Sequence, residues 1–145
     1  MPRTVHAKGA RVILNIDLNS EVPIYQQLRD QIVHAVASGE LREGSSLPAT
    51  RQLGADLGVN FHTVNKAYDL LRREGLLRLN RKTGAVIQRD PASGPPHPAF
   101  YPEWEARMGV LLAEAIAHGV EPDQIIERCR DQLGSLRGAE KGRGT

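Results

Sequence analysis

The three residues Gly58-Val59-Asn60 constrain this chain more than any others. They stand between two short segments with helical apolar spacing. A glycine in that place favours the left-handed conformation that ends a helix. An asparagine two residues later suits the cap of the next one, and Val59 is predicted to be buried between them. So short a connection makes the two helices cross steeply and leaves the outer face of the second one uncovered.

Elements extend outward from this turn. Upstream, Pro48 is placed to open a helix with Leu53 and Leu57 pointing inward. Downstream, Val64, Ala67, Tyr68 and Leu71 form the inner stripe of a helix that Gly75 ends. An earlier helix starts at Pro23, carries Ile24, Leu28, Ile32, Ala35 and Val36 on one face, and stops by Gly39. Before it, the β-branched run Arg11–Asp17 predicts a short strand, and a loop containing Gly44 follows it. After Gly75, Leu76-Leu77-Arg78-Leu79 and Ala85-Val86-Ile87-Gln88 flank a turn at Asn80–Gly84, the pattern of a β-hairpin. Three helices followed by a hairpin predict a mainly α fold with a small β-wing, a winged helix-turn-helix over residues 10–90.

Five of the thirteen residues from Asp90 to Pro102 are proline, which predicts a semi-rigid linker over 91–102. Beyond it, residues 103–137 predict two helices joined by a tight turn at Gly119-Val120, with Pro122 opening the second. Trp104, Met108, Leu111, Leu112 and Ala115 make an apolar stripe on the first. Ile125, Ile126, Cys129, Leu133 and Leu136 make one on the second, where Cys129 is expected as a buried, inert thiol. Such a hairpin has too little core to stand alone. Pairing with the same hairpin of a second chain solves this, so the tail is expected to form a homodimer with an isologous contact. Residues 1–9 and 138–145 are expected to fray.

Composition removes several function classes. One cysteine in 145 residues excludes a disulfide framework and a cysteine-based zinc site. No apolar run approaches 18 residues, so no membrane span is expected. The first eight residues lack the apolar segment of a secretory signal, which makes the cytoplasm the expected compartment. His6, His34, His62, His97 and His118 show no metal-ligand spacing, and no glycine-rich phosphate loop occurs. Glu103, Glu105 and Glu114 have the pattern of a solvated face. Neither an enzyme nor a cofactor or metal site is expected. The net charge of +2 conceals an asymmetry: residues 1–90 hold 13 Lys and Arg against 9 Asp and Glu, residues 91–145 hold 6 against 8. Arg72, Arg73, Arg78, Arg81, Lys82 and Arg89 face Glu74 alone within residues 72–89. That concentration points to a polyanion partner. A winged helix used for protein assembly is the rival reading. Aromatics at 4% count against it, because assembly surfaces more often centre on them.

The motif Pro23-Ile24-Tyr25-Gln26-Gln27-Leu28, then Gly39-Glu40-Leu41, Gly44 and Leu47-Pro48-Ala49-Thr50-Arg51-Gln52-Leu53, resembles the GntR family of bacterial transcription regulators. The resemblance continues through Leu57-Gly58-Val59-Asn60, Thr63-Val64, Ala67-Tyr68 and Leu71-Arg72-Arg73-Glu74-Gly75-Leu76. The tail is too short for the larger effector domains of the family. Through Glu114-Ala115, His118-Gly119-Val120 and Asp123-Gln124-Ile125-Ile126 it is similar to the two-helix segment of the YtrA-like branch. That resemblance implies a dimeric repressor binding a palindromic double-stranded DNA operator, in a branch associated with transporter operons. A small effector of unspecified identity would need an enclosed volume of about 300 Å³ or more, so its site would lie between subunits or between head and tail.

The same resemblance places Asn60, Phe61, His62, Thr63, Asn65 and Lys66 on the face available to DNA. Asn65 has the chemistry for adenine, and His62 or Thr63 for a base or phosphate. Phe61 departs from the polar or basic residue usual there, and either meets a thymine methyl or packs on the wing. Arg51 occupies the position of the family's DNA-contacting arginine, against the local helix dipole; the alternative is pairing with Asp56 or Glu74. Arg81 and Lys82 are expected at the wing tip against phosphate or the minor groove. Lys82-Thr83-Gly84 keeps only the second glycine of the family's wing pattern.

Overall fold

Two glycines make the short connection Gly58-Val59-Asn60 possible. In the computed structural model, which describes residues 2–7, 10–80 and 84–141 with side chains over 12–80 and 84–137, Gly58 has φ 71° and ends helix α2 (Thr50–Leu57). The N–H of Val59 donates to the Gly54 carbonyl at 2.9 Å, closing the turn. Helix α3 (Phe61–Arg73) then begins under an Asn60 cap, whose side chain accepts from the His62 N–H at 2.9 Å. Gly54 makes the close approach possible. A Cβ there would stand 2.9 Å from the Val59 carbonyl oxygen and 3.2 Å from the Phe61 Cα.

Helix α1 (Ile24–Ala37) buries Leu28, Ile32, Ala35 and Val36. These meet Leu53 and Leu57 of α2 and Val64, Ala67, Tyr68 and Leu71 of α3 in one core. Tyr68 is almost wholly buried, and its hydroxyl donates to the Pro48 carbonyl at 2.7 Å, which ties α3 to the start of α2. Burial pushes its phenol well above the usual range. On the far side, the Arg29 guanidinium joins the Glu74 carboxylate, linking α1 to the end of α3.

Two small sheets border the helices. Strands β1 (Pro2–Ala7) and β2 (Ala10–Asn15) pair antiparallel, from Pro2 opposite Asn15 to Ala7 opposite Ala10. Fraying expected at the N-terminus is therefore replaced by strand over residues 2–7, because the β2 backbone offers a complete ladder. Val12 and Leu14 of β2 are buried in the core. The wing is β4 (Leu77–Asn80) against β5 (Gly84–Ile87), and β5 also pairs with β3 (Ser46–Leu47), giving the order β3-β5-β4. β3 lies inside the segment predicted as loop. Two residues are too short for an alternation to reveal, yet Leu47 opposite Ala85 anchors the wing to the core.

The chain divides into two compact units, Met1–Ser93 and Gly94–Thr145. The start of the proline segment belongs to the first. Pro91–Ser93 form a single 3-10 turn, Ser93 Oγ donates to Glu43 at 2.7 Å, and Asp90 accepts from the Glu43 N–H at 2.8 Å. Its other end is already helical: α4 runs Phe100–Ala117, with Pro102 in its first turn, where the N–H that proline lacks has no partner to lose. α4 ends at Gly119, the Val120 N–H reaching the Ala115 carbonyl at 3.0 Å, and α5 (Pro122–Lys141) starts at its proline. The helix passes through the residues 138–141 expected to fray.

In the second unit nothing is buried among the described side chains. Leu112, Ala115, Ile125 and Leu136 are half-buried; Trp104, Met108, Leu111, Ile126 and Leu133 are exposed. Cys129 is exposed as well, not buried as expected, because one hairpin offers its α5 stripe too few neighbours. No helix among the described residues is long and apolar enough to cross a membrane.

Candidate nucleic-acid interface

Burying Val64, Ala67, Tyr68 and Leu71 turns the opposite side of α3 outward. His62, Asn65 and Lys66 are exposed there, with Thr63 half-exposed at its margin. Asn60 stands at the head of this ridge with its side-chain oxygen already engaged in the cap. Arg51, the second residue of α2, reaches the same neighbourhood: its guanidinium carbon lies over the Phe61 ring, 4.0 Å from the centroid. The Phe61 ring is also 4.0 Å from that of His62, tilted by 34°. Phe61 thus meets Arg51 and His62. The carboxylates proposed as alternative partners of Arg51 are occupied otherwise, Asp56 by Gln52 at 2.8 Å and Glu74 by Arg29.

The Lys66 ammonium is seated similarly, 4.0 Å from the centroid of Tyr25 on α1. The sequence reading did not anticipate either ring. Arg51 and Phe61 lie on α2 and α3, Lys66 and Tyr25 on α3 and α1, and no periodicity runs across two elements, so only the packed structure brings these pairs together.

The basic concentration over residues 72–89 is weaker than its charge count implies. Asp69, just outside that window, accepts from Arg72 at 2.6 Å and Arg73 at 2.8 Å. The two guanidinium groups, Arg72 foremost, hold its carboxyl below the usual range. Spacings of three and four residues on one helix carry that signal. Arg51 and Lys66 are exposed beside the α3 ridge, and Arg78 is exposed on β4. Arg81 and Lys82, with Thr83, lie outside the described residues.

A three-helix core that turns a polar, cation-bearing ridge outward beside a β-wing is the winged helix-turn-helix class of DNA-binding domain. Residues 24–87 match the family described as bacterial regulatory proteins, gntR family. The chain is 28% identical to the HTH-type transcriptional repressor YtrA of Bacillus subtilis (strain 168) over 129 residues, 89% of this chain and 98% of that protein. It is similar to the solved structure of YtrA from Sulfolobus acidocaldarius, a GntR-family transcription factor, with 36% identity, a TM-score of 0.57, and coverage of 72% of this chain and 97% of that one. A transcriptional antiterminator from Listeria monocytogenes EGD-e shares the fold, with a TM-score of 0.76 at 24% identity over 84% of this chain and 90% of that one. The chain belongs to the GntR family. It is a transcription regulator with a GntR-type DNA-binding domain, not an enzyme, and its similarity to YtrA-type members runs beyond the head into the tail.

Proposed function

We propose that the protein is a cytoplasmic, homodimeric repressor that binds a palindromic operator, in keeping with the transporter operons of the YtrA-like branch. One observation carries this reading: the exposed ridge His62–Asn65–Lys66 of α3, with Arg51 held beside it, forms a donor-rich face on a rigid helix. Its dimensions suit the major groove, where Asn65 is matched to adenine and Arg51 to guanine. The first turn of α2 follows Ala49, which gives no side-chain cap, and its N–H groups add donors for a phosphate. Arg81 and Lys82 take the wing to the flanking backbone. The similar Bacillus subtilis protein is a transcriptional repressor. Dimerisation falls to the tail, through Trp104, Met108, Leu111, Leu112, Ala115, Ile125, Ile126, Cys129 and Leu133, none of which is fully buried.

The test uses duplexes enriched by the protein from a random-sequence pool. His62→Ala or Asn65→Ala is expected to cost about 1–3 kcal/mol at particular base pairs. Replacing Arg81 and Lys82 together by alanine weakens all sequences alike and lowers the slope of affinity against salt by about 2. A wing variant that keeps wild-type affinity and slope shows the wing assignment to be wrong.

A further inference from the structure

The head contains three of the six aromatic residues in the chain: Tyr25, Phe61 and Tyr68. Tyr68 fills the core, and the other two each lie beneath a cation of the α3 side. The Phe61 platform is fixed through its backbone. Its Cα and N abut Gly54, where a Cβ would come within 3.2 Å of each. The Asn60 cap holds the next N–H, and the His62 ring lies alongside. The core cluster does not include Phe61, so this half-buried ring is placed at the base of the recognition ridge for some purpose other than core packing.

An exposed arginine loses rotamer freedom when DNA fixes it. A ring beneath the guanidinium removes part of that loss beforehand. It occupies one face of the fork and leaves the N–H edge to donate, the edge that pairs with guanine O6 and N7. We propose that Phe61 is a positioning residue: it holds the Arg51 guanidinium in the orientation that reads a guanine and touches no base itself. The proposal rests on the assignment of this side of α3 to DNA reading. It replaces the two roles open from the sequence, thymine-methyl contact and packing on the wing.

The test uses the full chain and duplexes it enriches from a random-sequence pool, with affinities measured for the best duplex and every single base-pair change. Arg51→Ala loses a guanine preference at one position by roughly tenfold or more. Phe61→Leu and Phe61→Met lose most of that preference at the same position, with an unchanged salt slope because no charge is removed. Phe61→Tyr, which keeps the ring, retains it. The double variant Arg51→Ala with Phe61→Leu binds no more weakly than Arg51→Ala alone. Thermal melting followed by circular dichroism confirms that each variant is folded, and Phe61→Met stands in if Phe61→Leu is not. Losses that add in the double variant, or that fall at an A·T pair, overturn the proposal in favour of direct contact. A uniform loss over all sequences, or wild-type preference in Phe61→Leu, also overturns it. If the wild-type chain enriches no duplex, the DNA-reading assignment itself fails, which is a separate result.

Discussion

The head and the tail of this chain place their apolar residues in opposite ways. In the head, Leu28, Leu53, Val64, Leu71, Leu77 and Ile87 are at most 1% exposed, and among the described residues the large apolar side chains left exposed are Ile13, Leu18, Val22 and Leu79. In the tail, helices longer than any in the head leave Val110, Leu111, Ile116, Ile126 and Leu133 between 50% and 65% exposed. Local helix-forming tendency is adequate in both. What differs is the number of elements available to cover a face: the head closes a core with three helices and two small sheets, while a lone hairpin has one partner per helix. Contiguous apolar surface of this kind marks an interaction site. On the proposed function the contrast separates two jobs, reading in the head and assembly in the tail.

Removing the tail is expected to have the largest effect. A chain ending at Ser93 retains every buried residue and the Glu43–Asp90–Ser93 contacts, so its helical circular dichroism persists. It sediments as a monomer and loses roughly 10²–10⁴-fold in operator affinity, since two heads no longer bind as one molecule. A head that remains dimeric at micromolar concentration would put the interface elsewhere.

Point substitutions sharpen the contrast. Leu28→Ala, in the closed core, is expected to lower head stability by about 2–5 kcal/mol in denaturant titrations. Leu111→Asp, at a position 65% exposed in the single chain, leaves the head's unfolding unchanged and dissociates the dimer in sedimentation velocity. A Leu111→Asp protein that still sediments as a dimer removes this part of α4 from the interface.

The smallest effect concerns the joint where the head ends. Asp90 accepts from the Glu43 N–H, the Ala92 N–H and Ser93, and the Glu43 bond foremost holds its carboxyl below the usual range. A depressed carboxylate contributes stability above its unfolded value near 4, and that contribution falls away as pH drops through the folded value. Asp90→Asn should therefore melt slightly lower at pH 7 and lose less on acidification than the wild-type chain. Equal acid sensitivity in the two proteins would mean that these bonds hold nothing at the joint.

The division between readable and unreadable follows the same contrast. The inner stripes of α1, α2 and α3, the Gly58 terminator and the Asn60 cap all follow from local spacing, and all occur where the sequence places them. Local patterns do not report contacts across elements. The pairing of β3 with β5, the approach of Phe61 to Gly54, and the seating of Arg51 and Lys66 on aromatic rings each join segments that carry no shared periodicity. The strand at residues 2–7 was hidden because its stability comes from its partner, not its composition. In contrast, the pairing of Arg72 and Arg73 with Asp69 was readable from helical spacing alone, and counting charges within a fixed window obscured it.

Operator geometry tests most directly the division into a reading head and a pairing tail. Two heads joined by paired tails read half-sites about one helical turn apart on the same side of the duplex. Inserting about half a turn of DNA between the half-sites of an enriched operator rotates one of them to the opposite side. Full-length protein is then expected to bind that duplex little better than a single half-site, with one head engaged, while the chain ending at Ser93 binds both duplexes equally. Undiminished affinity of the full-length protein for the altered spacing would contradict the division, because each head would then be reading DNA independently of the tail.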